Sequence, residues 1–265
     1  MFCDAIPGMD KIFQTEPPEG SVILIVGNAG TLKSAFTYNL ISNDMAHRPS
    51  DLVQCIYVTL EETRDSLIRN FKTMGIPISE RIQVSDVATF FRAMERWTSI
   101  VGQDSDYINL ILEKASRPFK VLPLNEFETS TRPHNNNPKD KVAVTEVGDI
   151  SIMKPKIFVL DSLNAFNSMV FNNSKNIRRE MASLMYKLRE KTVTSFIVME
   201  TGDLSTYKPE HFLVDGIIEL GMIETERHRF KRYLKVRKMR STKHSIEPFL
   251  IEVNGAGLKV VEELI

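Results

Sequence analysis

The stretch Ser21-Val22-Ile23-Leu24-Ile25-Val26-Gly27-Asn28-Ala29-Gly30-Thr31-Leu32-Lys33-Ser34 decides how the chain is read. Residues 22–26 form a continuous branched apolar run, which suits a strand of a parallel sheet covered on both faces. The chain then turns at Gly27, passes Gly30 and reaches Lys33 and Ser34 where a helix begins. Backbone N–H groups from Gly27, Asn28, Ala29, Gly30, Thr31 and Leu32 through Lys33 and Ser34, backed by the positive end of that helix, suit a chain of phosphates. Lys33 would reach the terminal phosphates, and the Ser34 hydroxyl would coordinate Mg²⁺. The spacing follows G-x-x-x-x-G-K-[ST], except that Leu32 stands at the second glycine. The bland alternative is a glycine-containing strand-to-helix turn with an incidental Lys-Ser. The other parts of an ATP site decide between the two.

Outward from this stretch, strand and helix patterns alternate. Residues 5–10 have turn chemistry, residues 11–13 a short helical turn, and Pro17-Pro18-Glu19-Gly20 stops local structure before the first strand. Phe36, Leu40 and Ile41 predict a helix ending near His47. A second strand is expected over residues 52–60, then a helix with Leu67, Ile68 and Phe71 on one face, then a strand over 81–84 and a helix over 88–101. The apolar run 156–160 ends at Asp161, and Ile177, Met181, Leu184, Met185 and Leu188 mark an amphipathic helix. Residues 195–199 form another central-type strand. Residues 216–222, 233–239 and 249–253 read as strands without intervening helices. The pattern predicts an α/β fold: a mostly parallel twisted sheet flanked by helices and extended by antiparallel C-terminal strands.

The whole chain, 1–265, reads as one domain with an insertion at about residues 102–155. A helix over 107–115 and a hairpin from 119–127 and 142–152 are expected there, around a Pro/Asn-rich centre. Composition is that of an ordinary globular protein, 42% apolar and 26% charged with zero net charge. No global field attracts nucleic acid or acidic membranes. Cys3 and Cys55 have no metal-ligand spacing, and Cys55 reads as a core residue. With no basic-plus-apolar leader and no apolar run of about 20 residues, a cytoplasmic protein is expected.

Ligands of open α/β sheets bind at the carboxyl ends of strands. Gly27, Glu61, Asp161 and Glu200 all follow strands, so one sheet edge can gather them. Asp161 suits a Mg²⁺-associated carboxylate, although an Asp after a strand is also a common turn residue. Of Glu61 and Glu62, one can orient and deprotonate an attacking water while the other caps the following helix. The basic run Arg227, Arg229, Lys231, Arg232, Lys235, Arg237, Lys238, Arg240 and Lys243 admits a nucleic-acid patch, a solvated strand face or a pair of phosphate-directed cations. Strand alternation puts Leu234, Val236, Lys238 and Arg240 on one side, which favours the last.

Together these residues resemble the KaiC branch of the RecA-type ATPases along nearly the whole chain apart from the insertion. Ile6-Pro7-Gly8-Met9-Asp10 is similar to the family's opening turn, Glu61-Glu62-Thr63 to its paired glutamates, and Leu160-Asp161-Ser162 to its Walker B end. The most specific match runs from Val214-Asp215-Gly216 to Lys238-Met239-Arg240-Ser241-Thr242-Lys243-His244, similar to a K-x-R-G-[ST]-x-H signature with Ser241 at the glycine. The resemblance implies ATP and Mg²⁺ as ligands, with Lys238, Arg240 and His244 reaching the next subunit's ATP in a homo-hexameric ring. Where the family's phosphorylating repeat carries adjacent Ser and Thr, this chain has His211 and Phe212, which argues against autokinase activity. The reading is a slow Mg-dependent ATPase in a regulatory ring with an unidentified protein partner and no membrane. A non-hydrolysing nucleotide switch, suggested by Leu32, is the alternative. A DNA-binding recombination accessory is a third, against which the neutral charge counts.

Overall fold

The computed structural model describes residues 2–48, 55–88, 156–170, 177–203, 209–225 and 228–264. Among these residues nine strands form one sheet in the order β3-β2-β4-β5-β1-β6-β7-β8-β9. β1 (Val22–Gly27) lies between β5 (Thr194–Glu200) and β6 (Gly216–Glu224), parallel to both. β4 (Ile157–Asp161) continues the parallel run from β5 to β2 (Cys55–Thr59), and β2 to β3 (Ile82–Asp86). On the other side, β6, β7 (Phe230–Met239), β8 (Phe249–Asn254) and β9 (Gly257–Glu263) pair antiparallel. The expected fold class is the observed one.

Alternation along β1 distributes its side chains between two cores, as a strand covered on both faces requires. Ile23 and Ile25 pack with Phe36, Leu40 and Ile41 of α1 (Lys33–Ala46) and with Leu67 and Phe71 of α2 (Arg64–Thr73). Val22, Leu24 and Val26 pack with Phe166 of α3 (Leu163–Val170) and with Met181, Leu184, Met185 and Leu188 of α4 (Ile177–Glu190). Cys55 is fully buried, and burial pushes its thiol far up. Thr63 caps α2 by accepting from the Ser66 N–H, and Gly75 ends the segment at φ 72°.

Three elements carry no clear sequence pattern: α3, the five-residue α5 (Pro209–Leu213) and β9. α5 is a single turn, too short for a helical repeat, and α3 follows β4 at once and spans only eight residues. The expected insertion over 102–155 and the helix after residue 88 lie outside the described residues. No helix among the described residues is long and apolar enough to cross a membrane.

The structure corrects the face assigned to the basic residues of β7. Ile217 pairs with Lys238 but its neighbour Ile218 pairs with Val236, so β7 carries one extra residue. Such a bulge reverses the alternation beyond it. Leu234, Val236 and Met239 therefore share the core, and Lys238 lies on the other side.

Candidate functional site

The loop after β1 has backbone demands that its residues meet unequally. A Cβ at Gly27 would lie 2.2 Å from Leu220 O and 2.6 Å from Thr31 Oγ1, so no side chain fits there. Gly30 takes φ 78° without penalty. Leu32 also adopts the left-handed region, φ 68° and ψ 29°, as the N-cap of α1. A residue with a Cβ pays roughly 1–2 kcal/mol for that conformation. Its side chain packs against the core cluster holding Leu67 and Phe71. The Thr31 hydroxyl and Lys33 Nζ both donate to Asn28 O at 2.8 Å, which ties the loop to itself.

Carboxylates gather around Lys33 as strand ends bring them in. Asp161 is 5% exposed; its Oδ2 accepts from the Tyr57 hydroxyl at 2.6 Å, and its carboxylate also accepts from Ser34. Burial pushes the Asp161 carboxyl up, while the Ser34 and Tyr57 hydrogen bonds oppose that shift. Burial lowers Lys33, and the charges of Glu200, Asp161 and Glu61 pull it back up. Glu200 Oε2 lies 3.8 Å from Lys33 Nζ. The Glu61 carboxylate accepts from the Ser162 hydroxyl, beside Asp161. Glu62 instead accepts from Ser66 Oγ and Asn70 Nδ2, both at 3.0 Å, and is held against α2.

Lys33, Ser34, Glu61, Glu62, Asp161, Ser162 and Glu200 line one cleft of about 250 Å³, together with Gly30, Leu32, Leu67 and Met74. Among the described residues no group of three or more His, Cys, Asp or Glu is suited to hold a metal. The Ser34 and Asp161 oxygens nevertheless fit Mg²⁺, which binds through one or two protein oxygens and completes its shell with water and phosphate. Two further residues at the site lacked a sequence signal. Tyr57 is hidden in an apolar strand, and Asn164 holds the end of β5 by donating to Glu200 O at 3.0 Å and accepting from its N–H at 2.8 Å.

Lys238, Arg240 and His244 are not in this cleft. β7 runs antiparallel to β6, so Met239 faces Gly216 at the edge where β1 begins. Six residues of β1 separate that edge from the phosphate-type loop, roughly 20 Å of strand. Lys238 Nζ donates to Val214 O at 2.6 Å and His211 O at 3.2 Å, and Arg240 pairs with Asp215 at 3.2 Å. His244 Nδ1 lies 2.9 Å from Thr242 O, its ring against Phe13. The β7 cation that does meet the loop is Arg232, whose Nε donates to Gly30 O at 3.3 Å. Only the pairing register singles it out from its basic neighbours.

A phosphate-type loop after the central parallel strand, a carboxylate at the end of a second strand and an antiparallel C-terminal extension define a RecA-type α/β domain. The chain belongs to the KaiC ATPase family, whose model, described as "ATPase: KaiC", matches residues 4–114 and 127–265. It is 25% identical to a UPF0273 protein of Methanopyrus kandleri, over 97% of this chain and 90% of that one. Identity to a UPF0273 protein of Pyrococcus furiosus is 27%, over 96% and 91%. The circadian clock oscillator protein KaiC of Parasynechococcus marenigrum is 24% identical over 96% of this chain, which spans only 43% of that protein's length. The crystal structure of a KaiC-like protein from Pyrococcus horikoshii shares the fold, with a TM-score of 0.64 at 23% identity, covering 97% of this chain and 96% of that one.

Proposed function

We propose that the chain binds Mg·ATP in this cleft and hydrolyses it slowly, as a subunit of a cytoplasmic regulatory ring. The observation that carries the reading is the convergence of Lys33, the Ser34–Asp161 pair and Glu61 on one cleft at the carboxyl edge of the sheet. The loop backbone from Gly27 to Ser34 holds the phosphates and Lys33 meets their charge. Ser34 and Asp161 would hold Mg²⁺, which would supply positive charge against the phosphates. Glu61 is the general base: its carboxylate sits beside Asp161, whereas that of Glu62 is engaged by Ser66 and Asn70.

Arg240, together with Lys238 and His244, serves the neighbouring subunit. The length of β1 keeps these groups from the cleft of their own protomer, which supports action across an interface. The DNA-binding reading is disfavoured by the zero net charge, which offers a polyanion no global attraction. The non-hydrolysing switch loses its motive, since Leu32 keeps a glycine-like backbone and turns its side chain to the core.

The test is ATP turnover on size-resolved protein with and without Mg²⁺. Phosphate release by an oligomer, dependent on Mg²⁺, is expected. Tight ATP binding without release, unchanged by Leu32→Gly, would replace the hydrolase reading with that of a switch.

A further inference from the structure

Asp215 stands just before β6, at the edge where β1 begins. Its N–H donates to Val22 O at 2.8 Å, and its Oδ2 accepts from Val22 N–H at 3.0 Å and Arg189 Nε at 2.9 Å. Arg189 is itself fixed, donating to Leu213 O at 2.5 Å. The remaining oxygen, Oδ1, accepts from Arg240 Nη1 at 3.2 Å, and the Asp215 carbonyl accepts from the Arg240 N–H at 2.9 Å. One residue thus grips Arg240 by both backbone and head group, and anchors it to the first residue of the strand that carries the loop.

The grip leaves the cation usable. Among the described residues, one guanidinium nitrogen is engaged, and the Arg240 side chain remains 57% exposed. A guanidinium has five donors in a rigid fork, so fixing one edge aims the rest. Ser241, at φ 56°, turns the chain away directly afterwards. An ion pair serving stability alone would gain by covering the head group, and this one does not.

We propose that Asp215 is a positioning residue that aims Arg240 at the ATP of the adjacent subunit. The inference rests on the ring reading above. Through Val22, Asp215 sets the offset between a protomer's own phosphate cradle and the cation it offers its neighbour. That offset must be the same in every subunit for a ring to close with all sites alike.

The test compares Asp215→Asn and Arg240→Ala in steady-state ATP turnover, with assembly checked by size. Asp215→Asn is expected to lower kcat by about 10- to 100-fold, the scale of a misplaced catalytic group, with KM for ATP changed less than about twofold. A structural role alone would not split the two constants in this way. Mixing Asp215→Asn with Lys33→Ala protomers supplies the second readout. The first brings an intact cradle and the second a well-aimed Arg240, so mixed rings should exceed the summed activity of the separate variants. Should Asp215→Asn fail to fold, Asp215→Glu keeps the charge but displaces Arg240, and a fall in kcat is again expected. Wild-type kcat in a folded Asp215 variant, or no recovery on mixing, overturns the proposal. Wild-type kcat in Arg240→Ala would instead overturn the ring reading beneath it.

Discussion

Leu32 and Ser241 occupy the same backbone region, φ 68° and φ 56°, at the two positions where the signatures they resemble carry glycine. Both residues hold a backbone conformation that glycine adopts freely. A hydrogen bond flanks each turn: Phe36 N–H donates to Leu32 O at 2.8 Å to open α1, and Arg240 N–H to Asp215 O at 2.9 Å just before Ser241. Each non-glycine residue therefore carries strain of roughly 1–2 kcal/mol.

Restoring glycine should have different effects at the two sites. Ser241 is exposed, so Ser241→Gly relieves strain with little packing loss and should raise unfolding free energy by about 0.5–1 kcal/mol. Leu32→Gly relieves the same strain but removes a half-buried side chain, so its net change should stay within about 1 kcal/mol. Urea unfolding midpoints measure both, and a destabilised Ser241→Gly would contradict the strain account.

Gly27→Ala should not be tolerated. Its methyl would meet the Leu220 carbonyl at 2.2 Å, and both lie in paired central strands. A loss of about 2–3 kcal/mol in denaturant unfolding is expected, with weakened ATP binding because the loop starts at this residue.

The two glutamates should separate kinetically. Glu61→Gln is expected to reduce phosphate release at least about 100-fold with nucleotide binding retained. Glu62→Gln keeps hydrogen-bonding capacity toward Ser66 and Asn70, so its turnover should stay within about tenfold of wild type. The reverse order in a phosphate-release assay would exchange their roles.

The Asp215 network predicts an acid limb. Burial by itself would raise the carboxyl, but hydrogen bonds from Arg189, Val22 and Arg240 outweigh it and hold the group below the usual carboxylate range. A depressed folded-state pKa means the charged form favours the fold. That contribution is complete above the ordinary value of about 3.9 and is lost as pH falls through the lower folded value. Unfolding midpoints followed downward from pH 5 should therefore drop less steeply in Asp215→Asn than in wild type. Parallel curves would show that the network adds nothing.

Much of this architecture is written in local pattern. The branched run at 22–26, the loop through Ser34 and the carboxylate ending the 156–161 strand each depend on neighbours within a few residues. β1, α1 and β4 accordingly stand where their periodicities put them. The family signature was legible for the same reason, being a set of short runs.

What sequence alone determined is the α/β order, the phosphate-type loop and the set of carboxylates available at strand ends. Tertiary structure alone decided what each glutamate meets: Glu61 reaches Ser162 across 101 positions, while Glu62 is held by Ser66 and Asn70. It also decided the face of Lys238, through one extra residue in the β6–β7 pairing, and the hold of Asp215 on Arg240 across a turn of 25 positions. The physical reason is common to all three. Periodicity fixes which way a side chain points within its own element, but strand register and long-range pairing fix what it meets.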